Sequence, residues 1–213
     1  MKNGFTNVSL EKNPLITIKV AEGHFATTSA HFNMYFEMSE LKYASKKVRA
    51  IARELALPYL TTTVIDTIVC MEGTEVVGAY LAEELTKSGP SLINFDEDVY
   101  VITPINSVNK KLIFRDNLQE AIKGKNVLLL VTSVVGGRAV DNALECIEYY
   151  GGRVVGISAL FSAGSEHTQR EINSVFTGED VPGYITYSPE NCELCKSGQK
   201  LDAFVTGEGY TKI

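Results

Sequence analysis

The sequence predicts an α/β fold in which a mostly parallel sheet is flanked by helices. Short apolar segments of strand character alternate with segments whose apolar residues recur every three or four positions. Residues 126–131 are wholly apolar after the first asparagine, which is typical of a strand buried on both faces of a parallel sheet. We expect an N-terminal cap over residues 1–50 and a short C-terminal appendage over residues 188–213, because both segments stand apart from this alternation.

The first half of the chain predicts two strand–helix units. Residues 15–20 are a short strand, and residues 39–55 are an amphipathic helix because their apolar positions are spaced three and four apart. Residues 63–70 are β-branched and nearly continuously apolar, as in a buried strand. Residues 73–86 follow as a helix whose small side chains allow close packing on the sheet.

The second half continues the same order of elements. Residues 98–102 are a strand and residues 117–122 a short helix, and the strongly apolar strand described above comes next. Residues 139–150 are a helix that ends at a pair of glycines. Residues 153–160 are another strand, and residues 181–187 contain the last one. Strands that alternate with helices in this way predict parallel pairing with helices on both faces.

The composition is that of a soluble globular domain. The chain has 213 residues, of which 45% are hydrophobic and 22% charged, and these values exclude disordered and fibrous classes. We expect one domain, with an α/β core over residues 55–187 between the cap and the appendage. The 26 acidic and 20 basic residues give a net charge of -6, which argues against nucleic acid as a partner. No segment is apolar enough for a signal peptide or a membrane span, so we expect a cytoplasmic protein that binds no membrane.

The segment after the apolar strand carries the most specific signal. It consists of Thr132, Ser133, Val134, Val135, Gly136, Gly137, Arg138 and Ala139, where the next helix begins. A glycine turn before a helix presents backbone N–H groups and the positive end of the helix dipole, which favour a bound phosphate. The sequence therefore predicts an anion site over residues 132–139. A tight turn without a ligand is the alternative.

The wider order of motifs resembles a known family. A strand, Val-Val, a loop of small residues, a helix, a glycine turn and a strand resemble the phosphoribosyl pyrophosphate (PRPP) signature of type I phosphoribosyltransferases. Residues 66–85 are similar to that family's pyrophosphate-loop region, and residues 23–42 are similar to the base-binding segment of orotate phosphoribosyltransferases. The resemblance covers most of the chain. It implies a Mg²⁺-bound PRPP, a nucleobase or nucleotide as the other small-molecule partner, and a homodimer.

The resemblance also assigns roles to individual residues. The residues expected to bind a planar base are Phe25, Thr27, Thr28, Ser29 and Tyr35. Packing in the core is the alternative for this aromatic-rich segment. The expected pyrophosphate loop is Glu72, Gly73 and Thr74, although a helix cap explains the same residues. Lys110 and Lys111 are the expected catalytic lysines of a lid, with a solvated loop as the alternative.

The PRPP loop departs from the family at positions that matter for catalysis. Family members place two acidic residues at its start, where they bind the ribose hydroxyls, and Thr132 and Ser133 stand there instead. Losing a charge that stabilises a developing charge costs on the order of 10²–10³ in rate per group. Two functions therefore stay open. One is an orotate phosphoribosyltransferase-like transfer of the phosphoribosyl group from PRPP to a nucleobase, and the other is a catalytically inactive, nucleotide- or phosphosugar-binding or regulatory protein.

The tail contains one CxxC pair, Cys192 and Cys195. It is half of a tetrahedral zinc site, and the other two ligands would have to come from a distant histidine or a second copy of the chain. The sequence contains no second CxxC and no HExxH spacing, so the pair alone does not establish a zinc site. Cys70 and Cys146 lie in apolar segments and are predicted to be core residues.

Overall fold

A computed structural model describes residues 4–87, 92–107, 111–163, 171–207 and 209–213. The strands are β1 (Thr6–Leu10), β2 (Asn13–Ala26), β3 (His31–Glu37), β4 (Thr67–Cys70), β5 (Tyr100–Ile102), β6 (Ile105–Asn106), β7 (Leu112–Ile113), β8 (Asn126–Val134), β9 (Arg153–Ser162), β10 (Asn173–Thr177), β11 (Thr186–Tyr187), β12 (Ala203–Thr206) and β13 (Gly209–Lys212). The α-helices are α1 (Ser39–Tyr43), α2 (Ser45–Ala56), α3 (Glu75–Thr86), α4 (Arg138–Tyr149) and α5 (Glu193–Lys196). Within these described ranges, no helix combines the length and apolar character needed to cross a membrane.

The centre of the molecule is a five-stranded parallel sheet in the order β10-β9-β8-β4-β5. The middle strand β8 is apolar because it is covered on both faces. Leu128 and Leu130 pack in one core cluster with α2 and α3, whereas Val127, Leu129 and Val131 pack in another with α4. The alternating side chains of one strand thus fill two helix–sheet layers, and the predicted α/β fold is confirmed.

A second, six-stranded sheet joins the two ends of the chain. Its main order is β11-β3-β2-β12-β13, and β1 pairs with β2. β12 runs parallel to β2, with Ala203 opposite Phe25 and Phe204 opposite Ala26. The segment expected to be an appendage thus contributes two strands, β12 and β13, which the sequence pattern does not predict. The two tail strands are short and half-exposed, so they lack the apolar pattern that marks a buried strand.

The parallel sheet differs from the prediction at one edge. Its last strand is β10, which lies outside every predicted strand and pairs in parallel with β9. The strand predicted within residues 181–187 is β11, which has only two residues and pairs antiparallel with β3 in the second sheet. Short strands at a sheet edge need few apolar residues, so local pattern does not reveal which sheet they join.

Two further boundaries differ from the predicted ones. The predicted helix over residues 39–55 is broken at Ala44, whose ψ of 106° is extended, and the apolar spacing continues across the break. β8 extends beyond the predicted residues 126–131, because Ser133 and Val134 still pair with β9. The first three residues of the predicted loop over residues 132–139 are therefore strand residues.

Candidate functional site

A cavity of about 250 Å³ lies between the carboxyl end of β8 and the second sheet. Most of its wall comes from four segments: the β8–α4 loop, the β2–β3 turn with the strand that follows, α1 with the residues just before it, and the tail around β12. Glu72, Phe161 and Tyr184 complete the wall. Ligands of open α/β sheets bind at the carboxyl ends of the strands, so this cavity occupies the position expected of a binding site.

The β8–α4 loop contributes all of its predicted residues, 132–139, to the cavity wall. Gly137 has a φ of 75°, the left-handed conformation that glycine adopts without strain, and α4 begins at the next residue, Arg138. In this described segment no side chain caps α4. The Arg138 N–H donates to the Gly136 carbonyl oxygen at 3.0 Å, so the N–H groups of Ala139 and Val140 are the ones that a ligand could use. The arrangement favours an anion, because the positive end of the helix dipole lies at the same place.

The two positions where the family has acidic residues differ in their surroundings. Thr132 is buried, and its hydroxyl donates a hydrogen bond to the Glu72 carbonyl oxygen at 3.1 Å. Ser133 is partly exposed. Thr132 thus links the end of β8 to the β4–α3 loop, while Ser133 is the residue of the pair that solvent reaches.

The β2–β3 turn packs directly on this loop. The Thr27 N–H donates to the Ala30 carbonyl at 2.8 Å, and the Thr27 hydroxyl accepts from the Ala30 N–H at 3.0 Å, which closes the turn. Thr27, Thr28 and Ser29 line the cavity, and the Ser29 side chain contacts the space beside Gly136. Three residues of the predicted base-binding segment therefore lie next to the predicted phosphate loop.

The aromatic residues of this segment divide between core and cavity. Phe25 is fully buried and packs with Phe32 and Tyr35, at ring-centroid distances of 6.1 and 5.9 Å. Phe32 and Tyr35 line the cavity, whereas Phe25 lies behind them. The Tyr35 hydroxyl donates to the Glu37 carboxylate at 3.3 Å. Burial and then the Glu37 charge raise the Tyr35 pKa, so this hydroxyl stays protonated.

The β4–α3 loop contributes less than the sequence suggests. Glu72 lines the cavity, and its backbone has a φ of 59°, followed by 77° at Gly73. Gly73 faces Tyr43, since a Cβ there would lie 2.8 Å from the Tyr43 hydroxyl. Thr74 is buried, and its hydroxyl donates to the Met71 carbonyl at 2.8 Å. Of the three predicted pyrophosphate residues, Glu72 alone is part of the described cavity wall.

Lys42 is a cavity residue that sequence reasoning missed. It is only 3% exposed, and its Nζ donates to the carbonyl oxygens of Glu72 at 3.0 Å and Gly207 at 3.1 Å. A lysine in an amphipathic helix normally belongs to the solvated face, so local pattern carried no signal for this burial. Buried cations are costly unless they are hydrogen-bonded or paired, and this one donates hydrogen bonds to the two carbonyl oxygens.

Glu37 lines the same wall and is ionised more readily than an ordinary glutamate. Burial works against its charge, but the Ser39 hydroxyl and N–H, the Tyr35 hydroxyl and the positive charge of Lys42 together bring its pKa below the ordinary value. The cavity therefore combines a buried cation, an anion and an uncapped helix terminus.

The two expected lid lysines do not appear among the residues of the cavity wall. Lys110 lies outside the described residues. Lys111 is exposed, and its N–H donates to the Ser107 hydroxyl at 3.1 Å next to the β6–β7 hairpin. Their role in catalysis stays a prediction.

The CxxC pair lies with two histidines. Cys192, Cys195, His24 and His31 place their ligand atoms within 4.8 Å of one another. Neither histidine was assigned to this pair from the sequence, because more than 150 residues separate them from the cysteines along the chain. None of the four lines the cavity described above.

Comparison with known proteins agrees with this geometry. No protein-family model matches the chain. The orotate phosphoribosyltransferase of Wolinella succinogenes is 29% identical over 196 residues, which cover 84% of this chain and 87% of that protein.

Among solved structures, the UMP synthase of Leishmania donovani matches 74% of this chain and 33% of its own, with a TM-score of 0.55 and 18% identity. The orotate phosphoribosyltransferase of Mycobacterium tuberculosis H37Rv was solved with PRPP. Its structure matches 68% of this chain and 82% of its own, with a TM-score of 0.50 and 16% identity. The chain is therefore similar in sequence to orotate phosphoribosyltransferases over most of its length, and it has the type I phosphoribosyltransferase fold.

Proposed function

We propose that the protein binds PRPP in the cavity at the end of β8 and transfers its phosphoribosyl group to a nucleobase. The observation that carries the proposal is the shared cavity wall, to which residues 132–139 and residues 27–29 both contribute. In the reaction, a ring nitrogen of the base forms a bond to the anomeric carbon of ribose. The bond from that carbon to pyrophosphate breaks, pyrophosphate leaves with the electron pair, and the proton of the ring nitrogen passes to water.

The site suggests a position for each part of the substrate. The uncapped N-terminus of α4 and the adjacent Arg138 suit the 5'-phosphate, because backbone N–H groups and a fixed positive charge converge there. The buried Lys42 beside the Glu72 carbonyl suits the pyrophosphate. Phe32 and Tyr35 offer aromatic faces to a base. The Mycobacterium tuberculosis relative, which was solved with PRPP, supports this choice of ligand.

The residues described in the cavity do not form a Mg²⁺ site of their own. Glu37 accepts hydrogen bonds from Ser39 and Tyr35, and the Glu72 carboxylate is packed against the backbone of Gly207. Mg²⁺ is commonly held by substrate phosphates together with few protein ligands. The metal implied by the family would therefore arrive on the pyrophosphate of PRPP, and no step proposed here depends on a protein-bound Mg²⁺.

A second candidate function is binding without turnover, in sensing or regulation. The observation that favours it is the hydrogen bond from Thr132 to the Glu72 carbonyl, because the residue at a position of the family's acidic pair is buried and used in loop packing. Removal of charges aimed at a developing cationic centre lowers rate far more than it lowers ground-state binding. The two candidates thus predict the same ligand and different chemistry.

Calorimetry and a turnover assay distinguish them. The full-length protein is titrated with PRPP, with and without Mg²⁺, and then incubated with PRPP and orotate, uracil or a purine base while pyrophosphate is measured. Pyrophosphate release that requires a base supports the transferase. Saturable PRPP binding without release supports the binding protein. If PRPP does not bind under either condition, both proposals are wrong.

Variants of the cavity locate the ligand. Arg138→Ala is expected to weaken PRPP binding, whereas Arg115→Ala, which removes an exposed arginine outside the described cavity wall, is the matched control. Lys110→Ala and Lys111→Ala test the lid. If these lysines cover pyrophosphate, the substitutions lower turnover and leave the affinity for ribose 5-phosphate unchanged.

A further inference from the structure

We propose that His24, His31, Cys192 and Cys195 bind one Zn²⁺ ion. Two of the ligands come from the β2–β3 segment, where His24 lies near the end of one strand and His31 begins the next. The other two come from the tail, where Cys192 precedes α5 and Cys195 lies within it. The inference is independent of the proposed function, because none of the four residues lines the cavity.

The distances between ligand atoms are those of a tetrahedral zinc site. The His24 Nε2 lies 3.1 Å from the His31 Nδ1, 3.5 Å from the Cys192 Sγ and 3.7 Å from the Cys195 Sγ. The Cys195 Sγ lies 3.4 Å from the His31 Nδ1. Ordinary Zn–N and Zn–S bond lengths in a tetrahedron require about 3.3 Å between two nitrogens and about 3.5 Å between a nitrogen and a sulfur. A single ion therefore reaches all four atoms.

The hydrogen bonding of His24 supports metal ligation. Its Nδ1 lies 2.8 Å from the Gln199 carbonyl oxygen. A carbonyl oxygen can only accept a hydrogen bond, so Nδ1 is the donor and carries the proton of the neutral ring. The lone pair of Nε2 then points to three other groups, although it can accept only one hydrogen bond at full strength. A backbone carbonyl that orients a histidine in this way is the usual second partner of a zinc-ligating imidazole.

The chemistry of the ligand set selects the metal. Two thiols and two imidazoles in a tetrahedral arrangement favour zinc over magnesium or calcium, which prefer oxygen ligands. Four protein ligands complete the coordination shell and leave no position for water, so the ion has a structural rather than a catalytic role. His24 and Cys192 are fully buried, while Cys195 is exposed and gives the ion a path to enter.

The position of the site indicates what the ion stabilises. The two histidines flank the turn that contains residues 27–29, and the two cysteines precede β12 in the tail. β12 already pairs with β2 through only two residue pairs, Ala203 with Phe25 and Phe204 with Ala26. A zinc ion would join the tail to the β2–β3 turn at a second point. The ion would thus hold together two segments of the second sheet that are distant from each other in sequence.

The test measures metal in the full-length protein, purified without chelators under reducing conditions. Elemental analysis is expected to find about one Zn²⁺ per chain. Replacement by Co²⁺ is expected to give the intense visible bands of a tetrahedral site and a thiolate charge-transfer band. Removal of the metal with a chelator is expected to lower the Tm by at least about 5 °C, and added Zn²⁺ should restore it.

Matched cysteine variants locate the ion. Cys195→Ser and His31→Asn are expected to reduce zinc content to less than about one tenth of an ion per chain. Cys146→Ser is the control, because Cys146 is buried on α4 outside the cluster, and it should retain the metal. If a variant does not fold, the Co²⁺ spectrum of the unmodified protein decides the question. The proposal is wrong if the reduced protein takes up neither Zn²⁺ nor Co²⁺, or if Cys195→Ser keeps its zinc.

Discussion

The backbone of Gly136 lies against the side chain of Ser29, so closely that a Cβ on Gly136 would overlap the Ser29 hydroxyl oxygen and lie 3.1 Å from the Ser29 Cβ. Gly136 belongs to the β8–α4 loop and Ser29 to the β2–β3 turn. The contact therefore sets the distance between the two walls that the proposed ligand must bridge. Glycine is required here by the close approach of another segment, since its own φ is not left-handed.

Gly136→Ala should therefore push the turn away from the loop. Overpacking of this kind costs about 1–3 kcal/mol, and we expect PRPP binding to weaken by roughly tenfold or more. Ser29→Gly removes the Ser29 hydroxyl oxygen and Cβ, which the new methyl group would meet. The double variant should therefore recover most of the lost affinity. Calorimetry on the two single variants and the double variant measures the coupling. Additive effects of the two substitutions would show that the contact does not control the cavity.

The acidic pair of the family should be tolerated at only one of its two positions. Ser133 is partly exposed, so Ser133→Asp is expected to fold normally and to raise any phosphoribosyl transfer. Thr132 is buried, and Thr132→Asp would place a carboxylate against the Glu72 carbonyl oxygen. We expect that variant to lose about 1–3 kcal/mol of unfolding free energy, because the substitution removes the hydrogen bond of Thr132 and buries a carboxylate beside a carbonyl oxygen. Chemical denaturation and pyrophosphate release measure the two effects, with Thr132→Val as the neutral control. Equal stability of the two aspartate variants would contradict this difference.

Lys42→Met should lower both the unfolding free energy and the affinity for PRPP. The substitution keeps the length of the side chain but removes the charge and the hydrogen bonds to the Glu72 and Gly207 carbonyls. Each lost hydrogen bond from a charged donor costs about 1.5–3 kcal/mol, and loss of the cation removes an attraction to pyrophosphate as well. Lys46→Met, on the exposed face of α2, is the control. If both variants bind PRPP like the unmodified protein, Lys42 serves the fold and not the ligand.

Glu37 should make stability depend on pH on the acid side. Its pKa is lower in the folded protein than its ordinary value near 4.5. A carboxyl group of this kind stabilises the fold above its unfolded pKa, and the stabilisation disappears as the pH falls through the folded pKa. When the pH is lowered from about 6 to about 3, the unfolding free energy of Glu37→Gln should therefore fall less than that of the unmodified protein. Urea denaturation at several pH values measures the slopes, and Glu97→Gln, an exposed glutamate, should behave like the unmodified protein. Identical slopes for Glu37→Gln and the unmodified protein would rule out this linkage.

The elements that the sequence predicted well are those whose cause is local. β8 can be recognised because a strand covered on both faces is apolar along its length, and α4 because a glycine turn precedes it and a pair of glycines ends it. The loop between them is continuous in sequence, so its glycine pair and its arginine could be assigned to one site. The boundary at Val134 was missed because pairing with β9, and not residue type, decides where the strand ends.

The remaining features depend on contacts between segments that are distant along the chain. Lys42 is buried at the cavity because the tail supplies the Gly207 carbonyl, 165 residues away. The CxxC pair meets two histidines because the tail strands complete the sheet begun by β2. The sequence by itself determined the parallel core and the phosphate-loop candidate, since apolar period and turn chemistry act over a few residues. Only the tertiary structure decided which charge enters the cavity and which ligands surround the cysteines, because the pairing of the two chain ends brings those groups together.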